Sequence, residues 1–381
     1  MDEGEYKTLA AVLAGVPDPR KRRGQRYPWR LLLVLLVAAV ASGQPHGRAI
    51  GQWVHEHAGE LRTRLGWRGR RLPSAATLRR ALLTIDLAAL EAEIGRLAGV
   101  LDVEDAPAGI TAQALDGKLV RGAAHHGQRV WLLGLADHQG SVRAQSALAD
   151  GQTELAAARG LLRGHDLTGQ VVTADAAFTD PALAQQVRDQ GGDYLFVVKG
   201  NQPDLHWAVA TEFAGWPWLV TERIQEYGLV ETQAVGHGRW ETRQLEASTR
   251  LNAYLAEDGW PDVGQVLRRT CRRVVLKTGA VSHTTTYALT SLAPTVVPLA
   301  MVEAVWRGHW GIENRVHHVR DVSFREDAGQ AYSGHIVQAL AALRNALLSC
   351  LRAAGWTRIA DALRHYAAHL DETLALIGAI S

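Results

Sequence analysis

The apolar positions change rhythm once along the chain. Up to about residue 100 they recur at helical spacing; from Ile110 they form short runs broken by Gly, Asp and Pro. In the first stretch, Tyr6–Leu13 predicts a short helix ending at Gly15, and Val16-Pro17-Asp18-Pro19 predicts a turn. Arg20–Arg30 reads as a basic loop. Leu31–Ser42 reads as a buried helix closed by Gly43. Its apolar run, Leu31–Ala41, is eleven residues long, against the ~20 a membrane span needs. The preceding KRRGQRYPWR imitates a secretion signal, but it begins at residue 21, behind an amphipathic segment, with no stop-transfer pattern after it. Gly47–Leu65 is amphipathic, with Ile50, Trp53, Val54 and Leu61 on one face. Pro73-Ser74 then caps a helix over Ala75–Ile85 that exposes Thr77, Arg79 and Arg80. A Ser-capped helix with basic residues in its first turns fits a helix-turn-helix reader of DNA; a helical bundle with a solvated Arg face fits equally. Leu87–Leu101 is a further helix, and Asp102–Gly109 an acidic linker.

Beyond the linker, strands are expected at Ile110–Val120, Val130–Asp137, Val142–Leu148, Val171–Ala174 and Tyr194–Lys199, with helices at Thr153–Leu162 and Pro181–Gln190. Three hairpin-linked strands, a helix and two strands in α/β alternation describe a mixed five-stranded sheet of the ribonuclease-H type, although other α/β sheets share the pattern. After a helix at Leu205–Phe213 and a Trp-rich turn at Trp216 and Trp218, Leu219–Leu292 is β-rich. A long helix follows at Pro298–Asp321, then a strongly apolar one at Ile336–Ala353.

Composition changes this picture little. The chain is 47% apolar and 21% charged, an ordinary globular balance. Two distant cysteines, Cys271 and Cys350, exclude a disulfide framework and a cysteine zinc site. Charge is more informative. Residues 1–80 hold 15 Lys and Arg against 6 Asp and Glu, although the whole chain nets only +2. A basic head on an acidic body suggests phosphate at the head and cations in the body. A second basic cluster, Arg268–Lys277, reads either as a solvated sheet edge or as a phosphate-contacting face. His237 and Arg239 beside Glu241 read as a structural ion pair.

The candidate chemistry lies in two strands. Ile110–Val120 carries Asp116 to a strand end, with Gly117 and Lys118 behind it; Gln170–Phe178 carries Asp175 to another. If the strands are neighbours, the carboxylates meet, and two acids that close repel unless a proton or cation lies between them. A hard divalent cation suits oxygen ligands. A two-metal phosphodiester site wants a third acid, and the long helix offers Glu313 on a face with Trp306, His309, His317 and Arg320. Asp321, Glu326, Asp327 and Glu241 are rivals.

HGRWETR (His237–Arg243) followed by RGHWGIENRVHHVRDVSFREDAGQ (Arg307–Gln330) resembles the signature of bacterial insertion-sequence transposases of the DDE class. The branch is the ISAs type, which includes the H-repeat-associated proteins of Rhs elements. VPDPRKRRGQRY, PSAATLRRAL, ALDGKLVRG, VVTADA and GGDYLFVVKGNQPDL resemble it in the same order, from about Val16 to Ala353. The resemblance implies a ribonuclease-H-like core with a β insertion, holding two Mg²⁺ or Mn²⁺ ions on Asp116, Asp175 and Glu313. In the wider group the helix motif is Tyr, two residues, Arg, three residues, Glu, six residues, Lys; Trp306, His309, Glu313 and Arg320 stand there. Arg320 departs from the branch, which has an apolar residue there, as AAFTD and GQTEL depart from its Gln and its Ser-Asn-Glu. Candidate DNA contacts are Arg20, Arg22, Arg23, Thr77, Arg79 and Arg80 at the basic head, His309 and Arg320 on the helix motif, and Lys118 and Lys199, which read either as covers of a sheet edge or as phosphate contacts.

The expected organisation is a helical DNA-binding domain at 1–105 and a first part of the core at 106–214. The β-rich insertion at 215–296 and a second part of the core at 297–381 follow. The expected partners are double-stranded DNA, both terminal inverted repeats and target, and a second copy in a homodimer; no membrane is implied, and a bacterial cytoplasmic, nucleoid-associated location is. A catalytically silent DNA-binding descendant and a nuclease that cuts without joining are the alternatives.

Overall fold

The computed structural model describes residues 8–101, 110–125, 128–214, 227–328 and 334–380. The linker at 102–109, the start of the first helix and the turn at Trp216 and Trp218 lie outside them. In chain order the elements are α1 (Leu9–Ala14), α2 (Trp29–Ala41), α3 (Gly47–Glu56), α4 (Ala58–Arg64), α5 (Ala75–Thr84), α6 (Leu87–Leu101), β1 (Thr111–His125), β2 (Gln128–Asp137), β3 (Val142–Ala147), α7 (Glu154–Leu162), β4 (Gln170–Ala174), α8 (Pro181–Asp189) and β5 (Asp193–Val198). There follow α9 (Pro203–Ala214), β6 (Tyr227–Gly236), β7 (Arg239–Ser248), α10 (Asn252–Glu257), β8 (Gln265–Val275), β9 (Val281–Thr290), α11 (Leu299–Gly308), α12 (His318–Val322), α13 (Gly334–Ala353), α14 (Ile359–Ala368) and α15 (Leu370–Leu376). The protein is thus mixed α/β, with a large, mostly antiparallel sheet and an N-terminal helical region. It divides into two compact units: residues 1–108, 117–152 and 311–381 form the first, and 109–116 and 153–310 the second.

The first unit is built on α2 and α13. Eleven of the residues of α2 are buried, because its apolar run leaves no polar stripe for water. Gly43, at φ +78, ends it, as a C-terminal glycine in the left-handed region does. In α13, the stretch His335–Ala353 is long and apolar enough to cross a membrane, but 83% of its window is buried inside the unit. It packs against α2, α5, α6 and β3. Under these helices runs a polar network. Arg320 of α12 makes a two-pronged pair with Glu326 (2.8–3.2 Å), bonds Gln145 at 3.0 Å, and shares Glu326 with Arg344 at 2.9 Å. Lys118 closes it through Asp321 at 2.5 Å.

In the second unit the strand order is β1-β4-β5-β9-β8-β7-β6, β1 contributing only residues 111–116. β1, β4 and β5 are parallel; β5 to β6 run antiparallel. One face is covered by a core of Val171, Leu195, Leu267, Val302, Val305 and Trp306. Asp180 caps α8 by accepting from the Leu183 amide, with Pro181 at its first turn. His237-Gly238 turns β6 into β7 with φ of 49° and 72°, the two positive values a tight type I′ hairpin demands.

Several expectations change. β1 does not end on Asp116 but runs on to His125. The β-rich stretch is not a separate block: β9 pairs with β5 and extends the same sheet. β8 is an interior strand, so the Arg268–Lys277 cluster does not guard an edge. Glu246 neutralises Arg268, Arg273 joins Glu241, and Arg269 stacks 4.2 Å over Trp306. Arg239 and Arg243 also gather on Glu241, so that acid is an ion-pair hub. Gly47–Leu65 is broken at His57 into α3 and α4. The single long helix expected at Pro298–Asp321 is α11, then a π-helical segment Ile312–His317, then α12.

Candidate active site

In the second unit the pairing of β1 with β4 runs in register to Leu115↔Ala174. Asp116 and Asp175 are the next residues on each strand. Neighbouring strands lie about 5 Å apart, so the two carboxylates leave the sheet side by side. Both side chains are partly exposed. Asp175 departs from the strand direction to head a 3₁₀ turn, Ala176–Phe178, whose first amide it caps at 2.8 Å. Lys199, the residue after β5, reaches both Asp175 oxygens at 2.7 and 3.0 Å.

His309 follows α11 and faces the same acids. Its Nδ1 lies 2.9 Å from Thr173 Oγ1. That hydroxyl donates to the Gln113 carbonyl at 3.2 Å, so it accepts from His309, and Nδ1 carries the proton. Burial pushes the His309 ring below its ordinary pKa, with Arg269 adding to the effect; the charges of Asp116 and Asp175 pull the other way and do not reverse it.

Sequence reasoning missed one acid. Glu154, the first residue of α7, has its carboxyl raised by burial and by the charge of Asp116. Its only signal was a position directly after the Thr153 cap in GQTEL. Glu154 thus lies within electrostatic reach of Asp116, and carboxylate oxygens are donors that suit hard divalent cations.

The first unit holds the remaining candidates. Glu313 is exposed on the π-helical segment, beside buried Val316 and His317. Gly311 permits the preceding turn: a Cβ there would stand 2.6 Å from the His138 carbonyl. Arg320 and Lys118 are not at the surface; they are 2% and 7% exposed and committed to Glu326 and Asp321. Neither presents a donor to a DNA phosphate as placed. Arg20 is likewise engaged, with Asp18 at 2.8 Å and the Tyr27 carbonyl at 2.8 Å. Arg22, Arg23, Arg79 and Arg80 are exposed, and Thr77 half-buried. Ser74 heads α5, but its hydroxyl bonds Thr77 Oγ1 at 3.1 Å instead of a backbone amide.

The family model for the transposase DDE domain matches residues 108–351, and one described as DDE_Tnp_1-associated matches residues 10–98. The protein named "Putative transposase YncI" in Escherichia coli O157:H7 is 26% identical over 356 residues, 91% of this chain and 87% of that one. "H repeat-associated putative transposase YhhI" of Escherichia coli K12 is 24% identical over 358 residues, 91% of each. "H repeat-associated putative transposase YbfD" of the same strain is 37% identical over 90 residues, 24% of this chain and 34% of that one.

Proposed function

The chain belongs to the transposase DDE domain family, and on that footing we propose that it cuts phosphodiester bonds at the ends of a mobile element and joins the freed 3′-OH to target DNA. The observation that carries the reading is the placing of Asp116 and Asp175 at the ends of paired parallel residues, with His309 facing both. Support for a ribonuclease-H-like core comes from the orders β3-β2-β1 in one unit and β1-β4-β5 in the other.

Asp116, Asp175 and Glu313 would hold two Mg²⁺ or Mn²⁺ ions. Glu313 follows His309 by four residues in the helical run, a spacing that sets two side chains on one face. Glu154 joins this set beside Asp116. Bound ions of this kind lower the pKa of a water and neutralise charge on a leaving oxygen. The protein's own part is positioning. Thr173 fixes the His309 ring. Lys199, now on Asp175, would be freed to donate to a phosphate oxygen if a cation took its place on that carboxylate. No side-chain nucleophile is needed for in-line displacement at phosphorus.

The N-terminal helices, residues 1–105, would hold the terminal inverted repeat through the exposed Arg22, Arg23, Arg79 and Arg80, with Thr77 beside them. Two ends brought together call for two copies of the chain, in the bacterial cytoplasm at the nucleoid.

The test is an assay of full-length protein on end-labelled duplex carrying the element terminus, with Mg²⁺ or Mn²⁺. Cleavage at the end and a joined product are expected. Asp116→Asn, Asp175→Asn and Glu313→Gln should each lower cleavage by about 10³ with unchanged circular dichroism. Wild-type cleavage by Asp116→Asn would refute the site; cleavage with no joined product would leave a nuclease.

A further inference from the structure

We propose that His365, His369 and Glu372 of the first unit form a binding site for a transition-metal ion of the zinc class, separate from the carboxylate site. The three ligand atoms lie within 4.8 Å of one another. His365 and His369 stand four residues apart at the end of α14, and Glu372 is in the first turn of α15. His365 Nε2 lies 2.7 Å from Glu372 Oε2.

The position of His369 separates this cluster from an ordinary surface ion pair, which needs only two groups. His369 Nδ1 lies 2.8 Å from the His365 carbonyl, so Nδ1 is the protonated nitrogen and Nε2 keeps its lone pair. A ring nitrogen anchored to a backbone carbonyl, leaving the other to coordinate, is the usual support of a metal-binding histidine. The support of the two imidazoles is stiff. Thr373 Oγ1 binds the Tyr366 carbonyl at 2.6 Å and is 3.0 Å from that of His369, holding the corner between α14 and α15. The Trp356 ring backs His365 at 5.3 Å.

Two imidazoles and one carboxylate favour Zn²⁺, Cu²⁺, Ni²⁺ or Co²⁺ over Mg²⁺, which asks for oxygen ligands in a near-octahedral set. Three ligands leave a fourth position of a tetrahedron for water. The ion would take the place of the proton shared between His365 and Glu372 and tie α15 to α14. α15 packs on α2, and its Asp371 pairs with Arg64 of α4 at 2.7 Å. The metal would therefore lock the C-terminal hairpin onto the N-terminal helices.

The experiment is Zn²⁺ titration calorimetry on EDTA-stripped, full-length protein carrying Asp116→Asn and Asp175→Asn, which disable the carboxylate site. One Zn²⁺ per chain with Kd below about 100 μM is expected. His369→Ala and Glu372→Gln should each weaken it at least tenfold, while His283→Ala, on exposed β9, should leave it intact. Zn²⁺ should also raise the Tm of the parent but not of Glu372→Gln, a variant that keeps the side-chain shape. Absence of Zn²⁺ binding in the parent, or unchanged binding in both His369→Ala and Glu372→Gln, would overturn the proposal.

Discussion

Lys199 Nζ bridges the two carboxylate oxygens of Asp175, at 2.7 and 3.0 Å. Burial alone would raise the Asp175 carboxyl, but the hydrogen bonds from Lys199 and the Ala176 amide, with the charges of Lys199 and His309, hold it below the usual range. A divalent cation must displace that ammonium. Lys199→Met removes a half-exposed ion pair, an interaction worth about 0.2–1 kcal/mol. Binding of Mn²⁺ should therefore tighten by up to about fivefold, read by titration of the stripped protein. Strand joining should fall in the same variant, because the phosphate loses its donor. Weaker Mn²⁺ binding would mean that Lys199 supports the cation site instead of competing for it.

Burial and the charge of Asp116 raise the Glu154 carboxyl, and a cation beside it would relieve that repulsion. Glu154→Gln keeps the shape and removes the charge. The Mg²⁺ concentration giving half-maximal cleavage should rise by about tenfold, the scale seen when a supporting group of a metal site is removed. A midpoint equal to the wild type's would leave Glu154 a bystander at the start of α7.

The comparison of these two residues shows how far the chain could be read without coordinates. Asp175 was legible because VVTA is a short β-branched run that stops on an acid. Asp116 was legible as an acid near the end of an apolar run, but not as a mid-strand residue, since Gly117 and Lys118 interrupt the apolar run directly after it. Glu154 was invisible: its role depends on a strand pairing made by residues 111–115 and 170–174. Lys118 and Arg320 looked like phosphate ligands because an isolated basic residue in sequence carries no sign of its buried partner; those partners are some two hundred residues away for Lys118 and six for Arg320. The joining of the β-rich stretch to the main sheet likewise rests on the β5–β9 pairing, to which no local pattern points.

Glu326 is 1% exposed at its side chain and balances Arg320 and Arg344. Removing one partner of a buried pair leaves an uncompensated charge, so Glu326→Ala should cost about 3–5 kcal/mol in denaturant unfolding. The pH dependence follows from the same carboxyl. Burial opposes its charge, but Arg320, Arg344 and Lys118 outweigh burial and hold its carboxyl below the usual 4.5. A carboxyl more acidic in the folded chain stabilises it above pH 4.5, and that stability drains away as pH falls through the folded value. Unfolding free energy should decline with acid below about pH 4.5 in the wild type, and the part of the decline due to Glu326 should vanish in Glu326→Gln. Identical acid limbs for the two proteins would refute this assignment.

Gly311 lets the chain pass the His138 carbonyl at the β2–β3 hairpin, where a methyl group would stand at 2.6 Å. Because the clash is with backbone, Gly311→Ala must move the segment itself, at a cost of about 1–3 kcal/mol. Glu313 is two residues on, in the π-helical turn. Cleavage should thus drop more than the loss of folded protein explains, with thermal unfolding and specific activity measured on the same sample. An alanine variant with normal specific activity would show that the exact seat of that turn does not matter for the chemistry.

The exposed arginines offer the sharpest separation between binding and structure. Arg79 and Arg80 project from α5 into solvent, whereas Arg20 is held by Asp18 and the Tyr27 carbonyl. A phosphate contact releases counterions, so each one lost lowers the slope of log affinity against log salt by about 0.9. Arg79→Ala and Arg80→Ala should each weaken binding to the inverted repeat and flatten that slope by about one, in anisotropy titrations over a range of KCl. Arg20→Ala should instead lower thermal stability and leave the slope unchanged. Equal slopes for the wild type and both α5 variants would remove α5 from the DNA interface.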